Sequence, residues 1–190
     1  GKRNAGRDVE YDVIILGAGA AGLFAGASFP RPVRGLILEK GNAPGRKLLL
    51  TGAGQCNLTH SGDIKEFPSH YGEVGGRIRP ILYRFNNRAV QDFFRRLGVA
   101  LVEREDGKVF PASLRAADIR DALVGACRSN GFDFRFSAGA ERIAAVSAPA
   151  DPKASPADPK ASSCAGYTVT AAGATFRARR LIVATGGCSY

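Results

Sequence analysis

The hexapeptide Gly17-Ala18-Gly19-Ala20-Ala21-Gly22 stands directly behind the apolar run Val13-Ile14-Ile15-Leu16, and the next apolar run, Leu36-Ile37-Leu38, closes on Glu39. Strand, glycine turn, small-residue helix, second strand and terminal acid in that order predict a parallel βαβ unit carrying the GxGxxG dinucleotide fingerprint. The first glycine permits the tight turn, the second lets the backbone approach a pyrophosphate, and the third lets helix and strand pack closely. The helix N-terminus adds unpaired N–H groups and a positive dipole end for phosphates. Glu39 follows Gly22 by 17 residues, near the roughly 20 expected of a carboxylate on a ribose hydroxyl. The pattern predicts binding of an ADP moiety, against the blander reading of a turn that only packs a βαβ unit.

A chain of 190 residues with 45% hydrophobic content is long enough for a domain with a sizeable core. No run approaches the length of a membrane span, and residues 1–10 form a polar, basic tail unlike a secretory signal. These features favour the cytoplasm. Cys56, Cys127, Cys164 and Cys188 show neither C-x-x-C pairing nor metal-ligand spacing with His60 or His70, so free thiols and no metal site are expected. The net charge of +10 is arginine-dominated and scattered, as in Arg95-Arg96 and Arg177-Ala178-Arg179-Arg180. No nucleic-acid motif accompanies it, so the expectation is a solvated basic surface. The chain lacks methionine and stops at Tyr190 directly behind a strand and glycine motif, which reads as a fragment.

Along the chain, Tyr11 to Leu16 reads as a buried strand, Ala20 to Ser28 as a helix ended by Pro30, and Leu36 to Glu39 as a second strand. Lys40 to Ser69 is long, glycine-rich and without period, which marks functional or disordered segments. Asn86 or Asn87 can cap a helix carrying Val90, Phe93, Phe94 and Leu97, stopped by Gly98. Val99 to Glu103 and Lys108 to Phe110 flank a hairpin turn, and Ser113 precedes a helix carrying Ile119, Leu123 and Cys127, ended by Gly131. Phe132 to Phe136 reads as the third parallel strand. Arg142 to Ser147, Tyr167 to Ala171 and Thr175 to Arg177 form an antiparallel meander, interrupted over 148–165 by an exact tandem repeat, Pro149 to Ser155 and Pro156 to Ser162. Its Pro/Ala/Ser/Lys composition is that of a disordered insertion. Leu181 to Ala184 is a further buried strand, leading into Thr185-Gly186-Gly187.

A strand that leaves a meander and ends in Ala184-Thr185-Gly186 resembles the flavin-proximal strand of flavoproteins with two dinucleotide-binding domains. With Val13 to Gly26, Gly45 to Thr59, Val109 to Ser113 and Ala184 to Tyr190, the chain resembles the N-terminal part of the BaiN/YhiN-type family of NAD(P)/FAD-dependent oxidoreductases, the aminoacetone oxidase-like flavoproteins. The separation of Gly45-Arg46-Lys47 from Cys56-Asn57-Leu58-Thr59 is its most specific element. The resemblance implies an α/β Rossmann-like FAD-binding domain over 11–190, with a parallel sheet and an antiparallel β-meander, incomplete at its C-terminus. It implies FAD as cofactor and NAD(P)H as co-substrate. It sets Gly17, Gly19, Ala20, Ala21 and Gly22 at the pyrophosphate, Glu39 on the adenosine ribose, Lys40 among the cofactor-binding residues, and Arg46 and Lys47 near the cofactor, where their charges suit a pyrophosphate. Thr51, Gly52, Gly54, Cys56 and Asn57 would run along the flavin, Ile143 would meet the adenine, and Ala184, Thr185 and Gly186 would close over the dinucleotide.

Cys56 has no second cysteine nearby to form a flavin-linked disulfide, so a packing role is the expectation, and His60 and His70 read as lone surface histidines. No catalytic residue is assigned. The sequence thus predicts the FAD-binding portion of an oxidoreductase acting on a small organic substrate, its site completed by the middle and C-terminal segments that the family fold carries. Two other readings stay open: a basic flavoprotein-like module docking RNA or a protein without redox turnover, and a nicotinamide-only Rossmann domain.

Overall fold

The computed structural model describes residues 10–147 and 164–187. The basic tail and the tandem repeat lie outside the described residues, apart from their boundary positions. The chain divides into two compact units, one of Gly1–Pro44 with Cys127–Tyr190 and one of Gly45–Ala126.

The first unit is built on a six-stranded sheet of order β6-β2-β1-β9-β8-β7. Its strands are β1 (Glu10–Leu16), β2 (Gly35–Leu38), β6 (Phe132–Arg135), β7 (Ala140–Ser147), β8 (Cys164–Ala171) and β9 (Ala174–Val183). β6, β2, β1 and β9 run parallel, and β9, β8 and β7 antiparallel. Val13 to Leu16 and all of β2 are buried, because a parallel strand covered on both faces can carry a continuous apolar run. Ile14, Leu16, Leu36 and Leu38 join Val169, Ala171 and Ala178 in one core cluster. Helix α1 (Ala20–Ala27) lies against the alternate positions: a Cβ on Gly26 would stand 2.8 Å from Cys127 Sγ and 3.3 Å from Ile37 Cδ1. The Asn130 amide donates to the carbonyls of Gly26 and Ala27 at 3.0 and 3.1 Å, satisfying acceptors that a helix end otherwise leaves open.

The sequence divides the chain's return into two strands, Thr175 to Arg177 and Leu181 to Ala184. The structure makes them one. Residues 174–178 of β9 pair antiparallel with β8, and residues 177–183 pair parallel with β1. The interval Ala178-Arg179-Arg180 looks too polar for a strand core, but only Ala178 is buried there and both arginines are exposed. β8 and β9 are joined through Ala172 and Gly173, whose φ of +49° and +72° form a two-residue turn of the kind that matches strand twist. Glu141 Oε1 accepts from the Ala172 N–H at 3.0 Å and ties that turn to β7.

The second unit contains a three-stranded antiparallel sheet, β3 (Thr59–His60), β5 (Lys108–Pro111) and β4 (Leu101–Glu103), in that order. Around it lie helices α2 (Gly75–Arg84) and α3 (Asn87–Arg96) and two 3-10 segments, Leu48–Gly54 and Phe67–Val74; α4 spans Ala116–Ser129. The irregular stretch expected over 40–69 is therefore partly structured by short 3-10 turns, which carry no hydrophobic period. Of the two capping candidates, Asn86 caps α3, its Oδ1 accepting from the Ala89 N–H at 2.9 Å. Asn87 is buried and donates to the carbonyls of His60 and Gly62 at 2.7 and 2.9 Å. The α4 helix begins three residues after Ser113, because Leu114 adopts φ +54° in a turn closed by its N–H on the Pro111 carbonyl.

Candidate functional site

The glycine turn has a different steric demand at each position. Gly17 holds φ +100°, and a Cβ there would stand 2.5 Å from the Ala184 carbonyl oxygen. A Cβ on Gly22 would stand 1.9 Å from the Gly17 carbonyl oxygen. At Gly19 nothing lies within 4 Å of where a Cβ would be, and no side chain caps the helix that starts there. Two glycines are thus demanded by the protein's own backbone. The third opens a space at a helix N-terminus, where backbone N–H groups suit an anion.

Glu39 and the end of β9 frame this turn. Glu39 Oε2 accepts from the Ala18 N–H and Oε1 from the Gly41 N–H, both at 2.7 Å. Its carboxylate therefore ties the turn to the end of β2 and keeps lone pairs over, since two carboxylate oxygens offer about four acceptor sites. The Ala184 N–H donates to the Leu16 carbonyl at 2.9 Å, which brings Ala184 and Thr185 against Gly17. Thr185 and Gly186 are exposed, with Gly186 at φ +75°. Ala20, Ala21 and Lys40 are also exposed. Of the predicted residues in this unit, Ile143 stands apart, 47% exposed on β7 and opposite Val169.

In the second unit, Arg46 and Lys47 are exposed, and Gly45, at φ +72°, packs on the side chain of Arg120. The segment after them is conformationally unusual. Gly52, Ala53, Gly54 and Cys56 all have positive φ, of +55°, +54°, +85° and +59°. Two non-glycine residues in this region so close together carry strain that the surroundings must hold in place. The Gln55 and Cys56 N–H groups donate to the carbonyls of Gly52 and Thr51 at 3.1 and 3.0 Å. Gly52 sits over Phe110, and Arg104 lies on that same ring, its Cζ 4.1 Å from the centroid, while donating to Gln55 Oε1 at 2.6 Å. This brace joins residues 49 apart in sequence, and no local pattern announces it. Thr51, Gly52 and Asn57 are exposed along the loop.

Cys56 is buried, and that burial raises its thiol pKa against a smaller opposing hydrogen bond from Thr51. The thiol is therefore protonated and inert at neutral pH, in keeping with a packing role. His60 is exposed but not lone: its Nε2 contacts the Asp106 carbonyl at 2.8 Å and its Nδ1 accepts from the Gly62 N–H at 3.0 Å. That pattern fixes the Nε2–H tautomer. Among the described residues no helix is long and apolar enough to cross a membrane.

A family model described as the HI0933-like protein Rossmann domain matches residues 11–190. The chain is 31% identical over 180 residues, 94% of its length, to a ribosomal RNA dihydrouridine synthase of Escherichia coli, of which it spans 40%. It is 32% identical over 112 residues, 57% of its length, to a 3-dehydro-bile acid delta(4,6)-reductase of Clostridium scindens, of which it spans 27%. Its fold is similar to that of the THI4 protein of Thermovibrio ammonificans, with a TM-score of 0.58 and 16% identity, covering 94% of this chain and 58% of that one. A flavocytochrome c3 fumarate reductase in its open conformation gives a TM-score of 0.59 at 17% identity, over 96% of this chain and 35% of that one. The expected BaiN/YhiN-type resemblance and the Rossmann-like α/β fold are both borne out. On the match across 11–190, the chain belongs to the HI0933-like flavoprotein family.

Proposed function

We propose that this chain is the FAD-binding domain of an oxidoreductase that uses NAD(P)H to reduce a small unsaturated or carbonyl substrate. The observation that carries the reading is the steric contrast within the glycine turn. Gly17 and Gly22 have no room for a side chain, whereas Gly19 faces open space at an uncapped helix N-terminus. A pyrophosphate fits that space through the first-turn amides from Gly19 to Gly22, and Glu39 retains acceptor capacity for a ribose hydroxyl. Within the same unit Lys40 supplies cationic charge, Thr185 and Gly186 line the dinucleotide, and Ile143 offers its apolar surface to the adenine. When bound, the flavin supplies hydride chemistry, while the protein supplies orientation and electrostatics.

Both curated relatives bear names that denote reduction, one forming dihydrouridine in ribosomal RNA and the other reducing a bile acid. The chain spans less than half of each, so the activity proposed is that of the whole polypeptide. The test is Gly19→Ala. Its φ of −78° and free surroundings accept a methyl group, so folding stability should change by about 1 kcal/mol or less, while flavin retained through purification falls severalfold. Unchanged flavin content would remove the cradle from the site.

A second reading is that the reduced double bond belongs to a pyrimidine within RNA. Two observations favour it: the RNA-named relative matches 94% of the chain, and the net charge is +10. Retention of RNA by the purified protein, weakened by salt, would support it.

A further inference from the structure

Helix α2 is a thinly covered element of the second unit. It packs on the 3-10 segment Phe67–Val74 and makes no more than marginal contact with any other element. Its one buried residue is Gly75, set against the Pro68 carbonyl. Large apolar and aromatic side chains are left in solvent here: Ile81 is 69% exposed, Tyr71 48% and Tyr83 43%. Arg77, Arg79 and Arg84 are all exposed among them, and α2 contains no acidic residue. Among the described residues none of these three arginines is paired with a carboxylate. The helical spacing sets Arg77, Ile81 and Arg84 on one stripe and Arg79 beside Tyr83 on the next, with the Arg79 guanidinium 5.9 Å from the Tyr83 ring centroid.

We infer that α2 and the adjoining 3-10 segment form a docking surface for single-stranded RNA; the inference rests on the RNA reading above. Guanidinium groups without acidic partners meet phosphates, and exposed tyrosine rings give flat faces on which unpaired bases stack. A membrane-seated helix would instead need an uninterrupted apolar face. Here arginines break the stripe that holds Ile81, and Pro80 stands inside the helix.

The experiment measures fluorescence anisotropy of a short, labelled, uridine-rich single-stranded RNA with the purified flavin-loaded protein, at about 50 and about 200 mM salt. The double charge reversal Arg77→Glu/Arg79→Glu should weaken binding more than tenfold and flatten the salt dependence by about 0.7 log units per log salt for each phosphate no longer engaged. Tyr83→Ala should weaken it about fivefold or more. The matched reversal Arg95→Glu/Arg96→Glu on α3 should have a much smaller effect. Flavin spectrum and melting temperature of each variant check that the fold is intact. Equal losses in both double reversals would overturn the docking surface and leave the RNA reading standing. No RNA binding by the parent protein would overturn both. Binding to anionic phosphatidylglycerol vesicles that needs Arg77 and Arg79, without RNA binding, would reassign the surface to membranes.

Discussion

One added methyl group has three different consequences along the turn from Gly17 to Gly22. At Gly19 it meets only open space. At Gly17 it adds left-handed strain, which alone costs about 1–3 kcal/mol, to an overlap with the Ala184 carbonyl. At Gly22 it meets the Gly17 carbonyl. Gly17→Ala and Gly22→Ala are each expected to lower stability by about 2 kcal/mol or more, read from the urea unfolding midpoint, whereas Gly19→Ala is expected to change it by about 1 kcal/mol or less and to act mainly on flavin content. A second prediction concerns Cys127, fully buried and donating to the Leu23 carbonyl at 3.2 Å. Burial pushes its thiol pKa up to about 12 from the ordinary 9.0. The unfolded thiol loses its proton first, so this contribution is complete below pH 9 and is lost as pH rises towards 12. Unfolding free energy should fall over that window, and Cys127→Ala, though less stable throughout, should fall less steeply. The steric roles of Gly17 and Gly22 were legible in the sequence because backbone sterics are local. The positive φ of Ala53 and Cys56 was not, because neither residue type signals that conformation and tertiary contacts impose it.

Helix ends and strand partners show where local patterns stop informing. The Asn86-Asn87 pair offers two equivalent caps by composition, and the structure separates them by burial. Asn86→Ala should cost about 1 kcal/mol, with Asn86→Ser recovering most of it. Asn87→Ala should cost about 1–3 kcal/mol, because it removes the donor that the His60 and Gly62 carbonyls share; chemical denaturation of the variants checks both. Apolar content predicted β1, β2 and β6 closely, since strands buried on both faces or one advertise themselves. It split β9 in two because this strand changes partner from β8 to β1 around Ala178, where two exposed arginines, Arg179 and Arg180, interrupt the apolar run. α2 gave no signal, because its apolar residues do not face a core.

At the scale of the whole molecule, the second unit is one continuous stretch, while the first is assembled from two stretches on either side of it. The pairing of Val13 with Arg180 and of Leu16 with Val183 closes only after most of the chain is in place, so the first unit carries the slow, non-local contacts. A dinucleotide that binds the folded state alone should stabilise it by mass action. With free FAD at about 100 times its Kd, unfolding free energy should rise by about 2.7 kcal/mol, measured by thermal melts across an FAD titration. No such rise would count against the proposed cofactor. The fold class was legible from the order of motifs, whereas the Arg104–Phe110–Gln55 brace and the arginine and tyrosine surface of α2 required the chain to be folded first.

The turn at Ala172-Gly173 has a consequence well outside its own hairpin. Because β9 is one strand, the length of that turn sets which residue of β9 stands beside Leu16, and hence that the Ala184 carbonyl crowds Gly17. The hairpin is a ruler for the cradle. A single residue inserted there would invert the inward and outward alternation of β9 or force a bulge before Ala178, whereas a two-residue insertion would keep the alternation. Tolerance to insertion at this solvent-exposed turn should therefore follow parity rather than size, an unusual rule for a surface loop.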